Sequence, residues 1–141
     1  MKIMALDVGR SRIGVAFSDP DQTLALPHAA IDRASETDAV TAVLDLAEEN
    51  GVQEIVVGLP LSLSGEAGPQ AREVTGFARS LSARAEVPVT TMDERYSTVE
   101  AERLIRQAGQ QPSRNRAGVD AMAAAIILQS YLDSRRSAQR Q

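Results

Sequence analysis

Apolar residues fall into short continuous runs in the first third of the chain and into helical spacings further along. Residues 3–8 and 13–17 are two such runs, separated by Gly9-Arg10-Ser11-Arg12, a pattern that predicts a β-hairpin. Residues 24–31 predict a third strand, weakened by Pro27. Ser35 and Asp38 have the spacing of a capping box and open a helix to about Asn50, with Val40, Val43, Leu44 and Ala47 on one face. Residues 54–58 are apolar enough for a central strand covered on both faces. Pro69 starts a second helix that runs to about Ala85, and residues 87–92 predict the fifth strand.

Beyond that strand, Ser97 or Thr98 caps a helix reaching Gly109. Residues 110–118 predict a polar loop, and residues 119–132 the last helix. The order β-β-β-α-β-α-β-α-α fits an α/β fold: a mixed five-stranded sheet flanked by helices. Its first three strands are antiparallel, and βαβ crossovers then supply parallel strands. One domain is expected over residues 1–134, followed by a disordered, polar, basic tail at 135–141. Sheets of this kind place function at the carboxyl ends of their parallel strands.

Composition narrows the chemistry. None of the 141 residues is cysteine, which excludes disulfides, thiol catalysis and thiolate zinc sites. No apolar run is long enough to span a membrane, and the chain enters a strand pattern without a signal peptide, so a cytoplasmic location is expected. The net charge of −4 does not suit a protein that coats nucleic acid. From Arg103 onward, however, Arg103, Arg106, Arg114, Arg116, Arg135, Arg136 and Arg140 face only Asp120 and Asp133. Arginine grips phosphate through a fork of donors, so a local basic surface is compatible with the acidic whole.

The acidic positions that change the picture are those at element ends. Asp7 ends the first strand run. Asp93 and Glu94 end the fifth, and Asp120 stands one residue into the last helix, on the face carrying Ala124, Ile127, Leu128 and Tyr131. Each has an ordinary reading as turn, salt-bridge or helix-start chemistry. Together, carboxylates converging from separate elements of one sheet would repel unless a divalent cation neutralised them. All-oxygen ligands suit magnesium or manganese, and two such ions about 3.5–4 Å apart support phosphodiester cleavage. Neighbouring strand residues point to opposite faces, so one of Asp93 and Glu94 faces such a site, with Glu94 preferred.

Four motifs, in order, carry a family resemblance. They are Leu6-Asp-Val-Gly-Arg-Ser-Arg-Ile-Gly-Val-Ala16, Val57-Gly-Leu-Pro60, Asp93-Glu-Arg-Tyr-Ser-Thr98 and Val119-Asp-Ala-Met-Ala-Ala124. Over residues 3–132 the chain resembles the bacterial YqgF family of pre-16S ribosomal RNA nucleases, which are similar to Holliday-junction resolvases. The resemblance implies an RNase H-like fold, trimming of precursor small-subunit rRNA, and action on branched DNA. It implies catalytic and metal-binding roles for Asp7, Glu94, Asp93 and Asp120, with Mg2+ or Mn2+, two ions, as cofactor. Gly9, Arg10 and Arg12 in the first turn, with Arg95, Arg114 and Arg116, are the implied phosphate contacts. Gly58 and Pro60, with residues 62–68, match a substrate-side loop. Implied partners are nucleic acid and ribosomal precursor particles; the chain is a monomer or, as two-fold junctions favour, a homodimer.

Two other readings compete. A Gly-rich hairpin with an aspartate also begins actin-like ATPases and sugar kinases, but those need two such domains, and a P-loop is absent. The second is a non-catalytic RNase H-like scaffold that binds RNA or a ribosome precursor. It differs from a nuclease in having no cleavage that depends on metal and carboxylates.

Overall fold

The computed structural model describes residues 1–60, 67–94, 103 and 116–139. Its elements are β1 (Lys2–Val8), β2 (Arg12–Ser18), β3 (Ala25–Asp32), α1 (Glu36–Glu49), β4 (Val52–Leu59), α2 (Pro69–Arg84), β5 (Val89–Asp93) and α3 (Arg116–Gln139). The five strands form one sheet in the order β3-β2-β1-β4-β5. β1, β2 and β3 are antiparallel neighbours, whereas β4 runs parallel to both β1 and β5. This is the mixed sheet expected from the hydrophobic pattern.

Local chemistry sets the boundaries. The Ser35 side chain accepts the Asp38 amide at 3.1 Å and starts α1, and Gly51 at φ +65° follows its C-cap. Pro69 occupies the first turn of α2. Pro27 is tolerated because β3 is an edge strand and its pairing with β2 is irregular there, with a register shift between Val15 and Ala16.

Strand alternation divides the core into two layers. Met4, Leu6, Ile13, Val15, Ile55 and Val57 pack against α1 and α2 through Val40, Val43, Phe77 and Leu81. Ile3, Ala5, Ala16 and Val56 face α3 through Ala124, Ala125, Ile127 and Leu128. Small residues dominate the second interface, so α3 lies close against the sheet.

α3 departs from the sequence expectation at both ends. It begins at Arg116, taking in the last positions of the predicted 110–118 loop, and it continues to Gln139 through the predicted frayed tail. Polar contacts extend it. Gln129 donates to Asp133 at 3.1 Å, Arg136 pairs with Asp133 one turn away, and Arg135 reaches Glu54 of β4 at 3.1 Å. Apart from Arg103, the helix expected at 97–109 lies outside the described residues, as do the rest of the 110–118 loop and most of the 62–68 loop.

Candidate functional site

Asp7 is the sixth residue of β1 and shares the α3 side of the sheet with Ile3 and Ala5. Glu94 follows the last residue of β5, two strands away in the order β1-β4-β5. What lets the two meet is Gly58 on the strand between them. A Cβ at Gly58 would stand 2.7 Å from Glu94 Oε1 and 2.5 Å from Ile127 Cδ1. The missing side chain leaves the lane through which Glu94 crosses β4 and hydrogen-bonds to Asp7. Gly58 therefore belongs beneath the carboxylates as well as next to the loop that follows it.

Asp120 is brought in by another close approach. Gly14 is the register partner of Asp7, and a Cβ built on it would lie 2.0 Å from the Asp120 carbonyl oxygen. The first turns of α3 thus rest directly on β2, which sets Asp120 beside Asp7. Its carboxylate is turned toward β2, where Arg12 Nε donates to Asp120 Oδ2 at 2.6 Å. Both side chains of this pair are about a quarter to a third exposed (30 % and 26 %).

The remaining acidic candidate points elsewhere. Asp93 has the same parity on β5 as Val89, which packs toward α1 and α2, and it is the register partner of Leu59 in that same layer. It remains near enough for its negative charge to act on Glu94. The structure thus brings Asp7 and Glu94 together with Asp120 alongside, and leaves Asp93 on the opposite face.

Crowding shows in the protonation of the pair. Burial, then the charge of Asp7, the hydrogen bond to Asp7 and the charge of Asp93 push the Glu94 carboxyl up to about 7. Asp7 is also raised, by burial and then by the charge of Asp120, against a lowering from its hydrogen bond with Glu94. Both carboxyls are therefore pushed toward the protonated form, Glu94 into the neutral range, so that the pair favours keeping one proton between them. An open cleft of about 210 Å³ lies over the two, walled by Ala123, Ile126 and Ile127 of α3.

The first turn is braced from behind. Gly9 N–H donates to the Arg12 carbonyl at 2.9 Å. Arg33, beyond β3, donates from Nη1 to the Gly9 carbonyl at 2.9 Å and to Glu73 of α2 at 3.1 Å. Arg10 is exposed at the turn. Arg12, a phosphate candidate by sequence, is instead engaged with Asp120. Arg95 and Arg114 lie outside the described residues, as does the Arg116 side chain, although the Arg116 backbone opens α3. Sequence reasoning missed Gly14, Arg33 and the Arg12–Asp120 pair. A glycine inside an apolar strand was an available signal for the first, because it marks close backbone approach.

A hard divalent cation fits the Asp7–Glu94 pair, whose carboxylates are half-buried and otherwise held together by a shared proton. Among the described residues no group of three or more acidic or histidine side chains converges on one point.

The sheet order, the helices on both faces and the carboxylates at the ends of β1 and β5 define an RNase H-like α/β fold. Solved structures agree on the fold. RuvC of T. thermophilus, in complex with Holliday junction substrate, superposes with a TM-score of 0.67 at 16% identity, covering 97% of this chain and 96% of that one. Fowlpox virus resolvase with Holliday junction DNA gives a TM-score of 0.62 at 12% identity, covering 96% of this chain and 99% of that one. The RuvX family, described as Holliday junction resolvase, matches residues 1–134, and the chain belongs to it. Among curated relatives named "Putative pre-16S rRNA nuclease", the Chloroflexus aurantiacus protein is 47% identical over 96% of this chain and 88% of its own length. The Desulforudis audaxviator protein is 42% identical over 97% of each.

Proposed function

We propose that the chain is a divalent-metal-dependent nuclease that hydrolyses phosphodiester bonds, acting in 5′-end maturation of pre-16S rRNA and also able to act on branched DNA. The observation that carries this reading is the Glu94–Asp7 carboxyl pair, which crosses β4 over Gly58 at the carboxyl ends of parallel strands. Asp7 and Glu94 hold Mg2+ or Mn2+, and Asp120 serves a second ion when freed from Arg12. Bound there, the ions would activate water and stabilise the leaving oxygen. Asp93, on the other face, acts on the site through its charge. Arg10, exposed at the first turn, contacts the phosphate backbone, and Arg95, Arg114 and Arg116 are further phosphate candidates by sequence. The Ile126–Ile127 wall of the cleft keeps one side of the reacting group dry.

Similarity to proteins named "Putative pre-16S rRNA nuclease" supports the choice of rRNA precursors as substrate; work in ribosome biogenesis, in the cytoplasm and on precursor particles, is part of the same proposal. Among the described residues no helix is long and apolar enough to cross a membrane. A second reading, a non-catalytic RNA-binding scaffold, draws support from the engagement of Asp120 by Arg12. The test is incubation of the purified protein with a pre-16S rRNA fragment and with a synthetic four-way DNA junction, each with Mg2+, Mn2+ or chelator. Metal-dependent cutting supports the nuclease and ranks its polymers. Tight binding without cutting under any condition favours the scaffold.

A further inference from the structure

Arg12 and Asp120 form a long-range contact between β2 and the first turns of α3, and the nuclease reading alone gives it no task. Gly14 clamps the Asp120 backbone against β2, so the carboxylate can change partners only by side-chain rotation. Arg12 is two residues before Gly14 and faces the same layer. Its guanidinium meets Asp120 through Nε, which leaves the η nitrogens able to take a second acceptor. Both groups are partly exposed, so the pair is open to exchange with solutes.

We propose that Arg12 is a built-in counter-cation: it holds Asp120 away from the cation site in the free protein and yields it when a nucleic-acid phosphate takes up the guanidinium. Arg12 is thus a positioning residue that couples cation occupancy to backbone binding, and the inference rests on the nuclease reading of the same site. By linkage, whatever factor the phosphate backbone adds to cation affinity, the cation adds to backbone affinity. Partly exposed ion pairs are weak, so the coupling is graded, about two- to fivefold.

The test is Mn2+ binding by calorimetry on the full chain, without turnover, for wild type, Arg12→Met, Arg12→Lys and Asp7→Asn. Each protein is titrated alone and with a five-nucleotide single-stranded DNA. Arg12→Met keeps the apolar stem, and Arg12→Lys keeps the charge while removing the Nε contact; circular dichroism checks the fold of both. Mn2+ affinity of the free protein should rise about two- to fivefold in Arg12→Met, and the oligonucleotide should raise wild-type affinity by a similar factor but not that of the variant. Affinity unchanged or lowered in both folded Arg12 variants overturns the inference. If wild type binds Mn2+ and Asp7→Asn does not, that result leaves the nuclease reading standing. Absence of Mn2+ binding by wild type, with and without the oligonucleotide, defeats both.

Discussion

Glu94 reaches Asp7 across an intervening strand, and it does so over the one position of β4 that carries no side chain on that path, Gly58. Two carboxyls held this way must share a proton or a cation. The protonation of Glu94 near neutral pH is thus a consequence of the fold.

That arrangement fixes a sign for the pH dependence of stability. Between its ordinary value of 4.5 and about 7, Glu94 keeps a proton in the folded protein that it loses in the unfolded chain. The folded state then binds more protons, so stability falls as pH rises through this window and levels off above it. Asp7, raised in the same direction, adds to the fall. Allowing for the partial exposure of Glu94, the expected loss is on the order of 1–2 kcal/mol, or about 3–6 °C in Tm. Thermal melts in chelator at pH 5 and pH 8 measure it. Glu94→Gln should flatten most of the difference and melt higher than wild type at pH 8.

The two glycines should separate stability from activity. At Gly14 an added Cβ meets backbone, the Asp120 carbonyl, so Gly14→Ala must push α3 off β2. It should cost about 3 kcal/mol in urea unfolding. At Gly58 the obstacles are the ends of two side chains, Ile127 and Glu94. Gly58→Ala should cost only about 1 kcal/mol. It should still slow cleavage on the order of 100-fold, because Glu94 loses its lane to Asp7.

Gln129 is 1 % exposed and ties α3 to the turn between β2 and β3. Its Oε1 accepts the Ala25 amide at 2.9 Å, and its Nε2 donates to the Thr23 carbonyl at 3.0 Å. Gln129→Leu orphans the buried Ala25 amide and should destabilise the protein by about 1–3 kcal/mol. Faster hydrogen exchange at Ala25 would locate the loss.

The five strands, the antiparallel start followed by parallel strands, and the helix starts at Ser35 and Pro69 were legible in the sequence because they depend on alternation, short turns, spacing and capping, which are local. Alternation also separates Asp93 from Glu94. The extent of α3 was not legible, because Asp133, Arg135 and Arg136 read as a polar tail until Glu54 and Gln129 supply their partners. Nor was the Arg12–Asp120 pair, whose members are 108 residues apart and meet only because Gly14 lets a helix touch a strand.

The most direct measurement is cleavage of a pre-16S rRNA fragment by wild type, Asp7→Asn and Glu94→Gln, all shown to be folded, with Mg2+ and with chelator. Wild type should cut only with Mg2+, and both variants should fall by at least about 100-fold, as expected for loss of groups that stabilise the reacting charge. Cutting that persists in chelator, or that survives in both folded variants, would contradict a metal-dependent nuclease centred on Asp7 and Glu94.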